Sequence, residues 1–194
     1  MKRTQVLKKE TLASRMQTQA GVAEARDRLR QRDADSLADF ILSLAQDIGP
    51  VGAQVRTFIV GDDVTETVDA VRERIARLEL PTDYEQRHGQ GQQIGVSLEL
   101  ILDSIERLLM PVDSAAAFAM LVAVFEADAI AMENCGDHDW EVSCAYERAA
   151  QLMGTAAMSL PCTTVAEKLR DLIANDGYGV RSPLESVLTA AESR

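Results

Sequence analysis

Residues 114–134 read SAAAFAMLVAVFEADAIAMEN, and this stretch decides the fold. From Ala115 to Phe125, eleven apolar residues run without a break. Phe118, Leu121, Val122, Phe125, Ala129 and Met132 recur at the i, i+3, i+4, i+7 spacing of one helical stripe. Ala117, Met120, Val124, Ala127 and Ala131 make a second stripe of smaller side chains on a different side. A helix apolar on more than one side has to be enclosed by other helices. The stretch is therefore expected to be a single central helix, about 114–134, with the rest of the domain packed around it. Glu126 and Asp128 end the apolar run before the eighteen or so residues of a membrane span, so no membrane contact is expected.

The flanking segments keep the same period. Leu37, Phe40, Ile41, Leu44, Ala45 and Ile48 predict a helix that Asp35 or Ser36 would cap and Gly49-Pro50 would end. Val51, Val55, Phe58 and Ile59 follow on a short helix. Asp63 with Glu66 three residues on is an Asp-led capping box. It opens a helix whose stripe is Val64, Val68, Val71, Ile75 and Leu78, with Arg72, Glu73, Arg74 and Arg77 assigned outside it. Ile94, Leu98, Ile101, Leu102, Ile105, Leu108 and Leu109 make the next helix, and Asp113 or Ser114 caps the central one. Beyond a short polar loop, the helix about 139–160 directs Val142, Tyr146, Ala149, Met153 and Ala156 to one side. Two helices of about 31 Å joined by so short a loop should run antiparallel, as an αα-hairpin. Thr164 with Glu167 opens another helix, and Ser182-Pro183 starts a last short one. With no segment that reads as a strand, the expectation is an all-α fold. It has seven or eight helices in antiparallel pairs, a helical-repeat-like bundle around the central apolar helix.

Composition agrees. The 194 residues are 46% hydrophobic but only 4% aromatic, so Ala, Leu, Val and Met must build the core, which suits closely packed helices. The net charge of -11 is uneven, because residues 1–32 carry +6 and the remainder -17. The chain is accordingly read as a basic polar leader, 1–32, and a single helical domain, 33–194, which could subdivide near 81–93. An acidic body repels nucleic acid, so such contact is expected only through residues 2–32. The plainer reading of the leader, with Arg26, Arg28, Arg30 and Arg32 on two helical ridges, is a solvated helix drawn to the acidic body. The N-terminus is basic without an apolar h-region, and three cysteines have no metal-type spacing. A cytoplasmic protein with reduced thiols is expected.

Leu37-Ala38 through Leu44-Ala45, the helix to Ile75, the Ala-rich helix through Phe125 and Asp128, and Asp176-Gly177-Tyr178-Gly179 together resemble an uncharacterised bacterial family. It is a domain of unknown function with α-helical-repeat-like helices, and the resemblance spans roughly residues 37–188. This chain departs from it at the Gln/Gly stretch 86–93 and at Cys135-Gly136-Asp137. The resemblance implies a fold and assigns no catalytic residue.

Candidate chemistry is sparse. Gly89, Gly91 and Gly95 follow no strand, so they lack the context of a phosphate loop. Cys135 and His138, with two residues between them, are the one weak metal-like pair, beside the simpler reading of a polar turn. Asp128, bracketed by apolar residues, is a candidate functional or structural acid, and Arg148 or Arg107 could pair with it. No catalytic residue, cofactor or metal is assigned. The leading expectation is a non-enzymatic scaffold that binds a protein partner, or a second copy of itself, through a groove between helix pairs. A nucleic-acid-associated regulator using the leader is the alternative, and a carboxylate-based enzyme in a helical cleft the third.

Overall fold

A computed structural model of the protein describes residues 19–47, 49–60, 63–78, 91–135 and 139–194. Most of the Gln/Gly stretch, the first part of the leader and His138 lie outside the described residues. Ten α-helices and one π-helical turn are present among the described residues, and no strand. The fold is all-α. The helix count exceeds the expected seven or eight because the leader contributes one helix and the central helix is broken in two.

The chain divides after Asp47 into two compact units. In the first, α1 (Gln19–Arg30) and α2 (Ala34–Asp47) are joined by a tight turn. The cap of α2 is Asp33, not Asp35 or Ser36: its carboxylate accepts from the Ser36 backbone N–H at 2.8 Å. That hydrogen bond holds the Asp33 carboxyl below its ordinary pKa. Phe40, Ile41 and Leu42 are exposed on α2.

The second unit holds α3 (Gly49–Ile59), α4 (Val64–Ala76), α5 (Gly91–Ser104), α6 (Ser114–Glu126), α7 (Asp128–Asn134), α8 (Asp139–Ala157), α9 (Cys162–Ala174) and α10 (Leu184–Glu192). The Asp63 cap of α4 forms as expected, accepting from the Glu66 N–H at 3.0 Å. Asp113 caps α6 by accepting from the N–H groups of Ala115 and Ala116, both at 2.9 Å. The Thr164 capping box does not form; α9 begins at Cys162, after Pro161. Proline fits there because an N-terminal N–H would have no helical partner.

Both stripes of α6 are buried: Phe118, Leu121, Val122 and Phe125 on one side, Ala117, Met120 and Val124 on the other. Helices α4, α8 and α9 and the π turn Ile105–Leu109 enclose it. Phe125 is wholly buried with its ring 5.4 Å from that of Tyr146 on α8. Helices α5 and α8 also pack directly and in the same sense, since Gly95 meets Glu141 while Asp103 and Glu106 meet Arg148 further along. A Cβ on Gly95 would lie 3.0 Å from that of Glu141. Gly95 therefore serves close helix approach and not a phosphate loop.

Removing the buried ring in Phe125→Ala is expected to cost about 3–5 kcal/mol, which would lower the melting temperature by many degrees. Glu133→Ala, at an exposed site, should change it little. Equal melting of Phe125→Ala and wild type would refute the central position of α6.

Candidate functional site

The expected single helix 114–134 bends by 44° at Ala127. Among the described residues no single helix is long and apolar enough to cross a membrane, and this bent pair, which has the composition for it, is core. The break is built by three side chains. Asp128 is buried and accepts from the Ala129 N–H at 2.7 Å. Arg181, from the turn between α9 and α10, donates to both carboxylate oxygens of Asp128, from Nε at 2.6 Å and Nη2 at 2.8 Å. The same guanidinium donates to the backbone carbonyls of Phe125 and Leu172, each at 2.9 Å. Tyr146 Oη donates to the Val124 carbonyl at 3.2 Å. The carbonyls at the C-terminal end of α6, where the helical ladder is interrupted, are thus met by side chains as well as by the Ala127 N–H. The hydrogen bond that Arg181 donates to Asp128 raises the Arg181 pKa against the opposing effect of burial.

Arg181 is placed by its own turn. Asp176 accepts from the N–H groups of Tyr178, Gly179 and Arg181. Gly179 has a φ of 77°, which a side chain would strain. The partners expected for Asp128 go elsewhere. Arg148 reaches Glu99, Asp103 at 2.6 Å and Glu106 at 2.6 Å, and Arg107 lies 3.7 Å from Asp103. Both arginines face the acidic side of α5, whereas the carboxylate of Asp128 meets the turn after α9. Burial lowers the Arg148 pKa, but its three carboxylate partners outweigh that and raise it.

A groove of about 670 Å³ opens between α6 and α9. Phe118, Ala119 and Val122 line its apolar part, and Glu126, Thr164, Glu167, Lys168 and Asp171 its polar part. Lys168 bridges the two helices, 2.8 Å from Glu126 and 3.7 Å from Asp171. These neighbours, Glu126 first, raise the Lys168 pKa.

Arg74 departs most from the sequence reading, because it is buried. Its Nη1 donates to Ser104 Oγ at 2.8 Å and to Thr57 Oγ1 at 3.4 Å. Ser104 Oγ lies 3.1 Å from Gln54 Oε1 and 2.9 Å from the Leu100 carbonyl, and its one proton serves one of the two. Beyond Ser104 the helix continues as a π turn, Ile105–Leu109. Burial pushes the Arg74 pKa down to about 10, and the like charge of Arg56 adds to the shift, opposed by Asp103. Sequence reasoning could have found this residue, since Val71, Arg74, Ile75 and Leu78 keep i, i+3, i+4, i+7 spacing. Arg181 gave no such signal, lying in a turn outside any periodic pattern.

Of the remaining candidate pair, Cys135 alone is described. Cys135 is buried with its Sγ donating to the Met132 carbonyl at 3.2 Å, and His138 is outside the described residues. No group of three or more His, Cys, Asp or Glu suited to a metal occurs among the described residues. No disulfide joins Cys135, Cys144 and Cys162. In α1, Arg28 and Arg30 are paired with Glu24 and Asp27.

Breaking the buried pair in Asp128→Asn or Arg181→Met is expected to cost about 3–5 kcal/mol, read by chemical denaturation. The double change Asp128→Leu with Arg181→Leu should recover part of that loss. It should fall short of wild type, because the Phe125 and Leu172 carbonyls lose their donor. A fully additive double variant would show that the two residues act independently. Tyr146 gives a pH test. Burial first, then the negative charge of Asp128, raise its pKa above the ordinary 10.0. The folded state therefore keeps a proton that the unfolded chain releases, so this contribution to stability is present below about pH 10 and lost above it. The stability gap between wild type and Tyr146→Phe should narrow as pH rises through 10; a gap constant to higher pH would contradict this.

Compared with known proteins, the chain matches no family model, no curated protein and no solved structure, so its candidate sites rest on its own residues and geometry.

Proposed function

We propose that the protein is a cytoplasmic, non-enzymatic helical scaffold that binds a protein partner in the groove between α6 and α9. The observation that carries this reading is the pairing of an apolar wall, Phe118, Ala119 and Val122, with a mainly acidic one. Glu126, Glu167 and Asp171 outnumber Lys168, which is itself paired with two of them. A groove between helices of this size accepts an apolar anchor from a partner's helix, read at i, i+3 and i+4. The acidic rim, in a body of charge -17 beyond residue 32, favours basic residues flanking that anchor. Of the carboxylates elsewhere, buried Asp128 is paired with Arg181 and half-buried Asp103 with Arg148, which supports structure over acid–base chemistry at both.

Ala119 is exposed in the groove, and arginine is a good helix former, so Ala119→Arg should fill the groove without disturbing the helix. Wild type and variant, immobilised side by side, should have the same melting temperature but differ in the proteins they retain. A partner held by wild type and lost from Ala119→Arg, and competed by its own basic amphipathic segment, is the expected result. Retention of every partner by both forms would overturn the assignment.

A further inference from the structure

A second recess, of about 250 Å³, opens between α3 and α4 and is independent of the groove. Arg56 and Thr57 line it from α3, and Glu66, Asp69, Glu73, Arg74 and Arg77 from α4 and its end. Arg74 is 9% exposed, and no carboxylate forms an ion pair with it among the described residues. Its only hydrogen-bond acceptors there are the hydroxyls of Ser104 and Thr57, both reached by Nη1, so Nε and Nη2 have none. A buried cation is normally matched by a counter-charge, since the cost of removing it from water is otherwise uncompensated. The contrast with Arg181 is direct: that guanidinium has a bidentate carboxylate.

The other charges of the recess sharpen the point. Glu73 is paired with Arg77, and Asp69 with Arg72, which turns away from the recess. Among the described residues, Glu66 is then the one carboxylate of the lining outside an ion pair, against two arginines, Arg56 and Arg74. Arg56 is exposed and forms no ion pair among the described residues. The lining thus balances three arginines against three carboxylates, but two of its guanidinium groups, one at the buried wall and one at the mouth, are outside any ion pair among the described residues. Guanidinium groups bind planar and tetrahedral oxyanions through paired, charge-assisted hydrogen bonds, which a hydroxyl partner does not replace.

We propose that this recess binds the oxyanion group of a small molecule, a carboxylate or a phosphate, between the guanidinium groups of Arg74 and Arg56 with the Thr57 hydroxyl in its wall. The ligand supplies the counter-charge that Arg74 lacks. Arg74 is fixed by Ser104 beneath it, so it is a preformed donor, while Arg56 closes over the bound group from solvent. The lowered pKa of Arg74, still well above neutrality, leaves its charge in place for this role.

The test uses the full chain with inorganic phosphate and acetate as probes, each against sodium chloride at matched ionic strength. Melting temperature should rise saturably with one or both probes and stay flat with chloride, as expected of a ligand that binds the folded state. A response to phosphate assigns a tetrahedral group, and a response to acetate a planar one. Arg56→Ala removes an exposed side chain and should leave the ligand-free melting temperature unchanged. It should weaken binding about tenfold by calorimetry, the loss of one charge-assisted hydrogen bond. Arg74→Gln should abolish binding; should that variant not fold, Arg56→Ala decides. Arg170→Ala, a surface arginine paired with Glu192, should bind as wild type does. No saturable response to either probe, wild-type affinity in Arg56→Ala, or equal losses in Arg56→Ala and Arg170→Ala would each overturn the proposal.

Discussion

The bidentate pair between Asp128 and Arg181 is the interaction on which the second unit depends, because it solves a problem created by the composition of α6. A helix apolar on both sides can be buried on both sides, but burial extends to its end, where the helical ladder is interrupted and one N–H, that of Ala127, is shared among several carbonyls. Leaving such groups unmet costs about 1–3 kcal/mol each. Arg181 answers with one planar fork that reaches the carboxylate, the carbonyl of Phe125 and the carbonyl of Leu172 together. One side chain thereby ties the end of α6, the start of α7 and the end of α9 to the turn that carries it. The desolvation of two charges offsets much of the electrostatic gain. What the pair secures is geometry: the angle of 44° between α6 and α7, and the position of the chain that leads into α10.

Helix-forming periodicity made most of the fold legible. The stripes through Phe118–Phe125 and Ile94–Leu109 are set by local sequence and are buried as expected. So are the caps at Asp63 and Asp113 set locally, where the side chain bonds a backbone N–H within three residues. What local sequence could not show was every feature depending on a residue far along the chain. The break at Ala127 requires Arg181, 53 positions beyond Asp128. By sequence alone Arg148 and Arg107 were equally fit for that acid, and nothing in helical spacing separates them. Arg74 is the instructive intermediate case. Its place in the Val71–Leu78 stripe was visible, but charge was allowed to override period, and its buried acceptors lie on two other helices.

The two sites follow from different physics. In the groove of α6 and α9, the surface is mostly apolar with charge at its edge, an arrangement that would select among partners more than bind them. In the recess of α3 and α4, charge is the whole content and burial gives it strength. The acidic bias of the chain would act on them oppositely: it would favour basic segments at the groove and disfavour anions over most of the surface, which sets apart a recess where two guanidinium groups are outside any ion pair among the described residues. Neither site uses the carboxylate cluster around Arg148, whose three acids hold one arginine between α5 and α8.

The π turn at Ile105–Leu109 gives the α5 segment one residue more than α-helical register requires. Each residue turns an α-helix by about 100°, so everything after the turn is rotated by that amount relative to an uninterrupted helix. Ile105 and Leu109 are both buried in this register, and the Met110 N–H donates back to the Ile105 carbonyl at 2.9 Å. The segment is therefore phased as two pieces, one aligned with Arg74 through Ser104 and the other with α6. A loss of one residue here during divergence would heal the hydrogen-bond ladder and yet misalign the two faces. The surplus residue works as a spacer, and sequence drift in this helix is constrained in length more tightly than in composition.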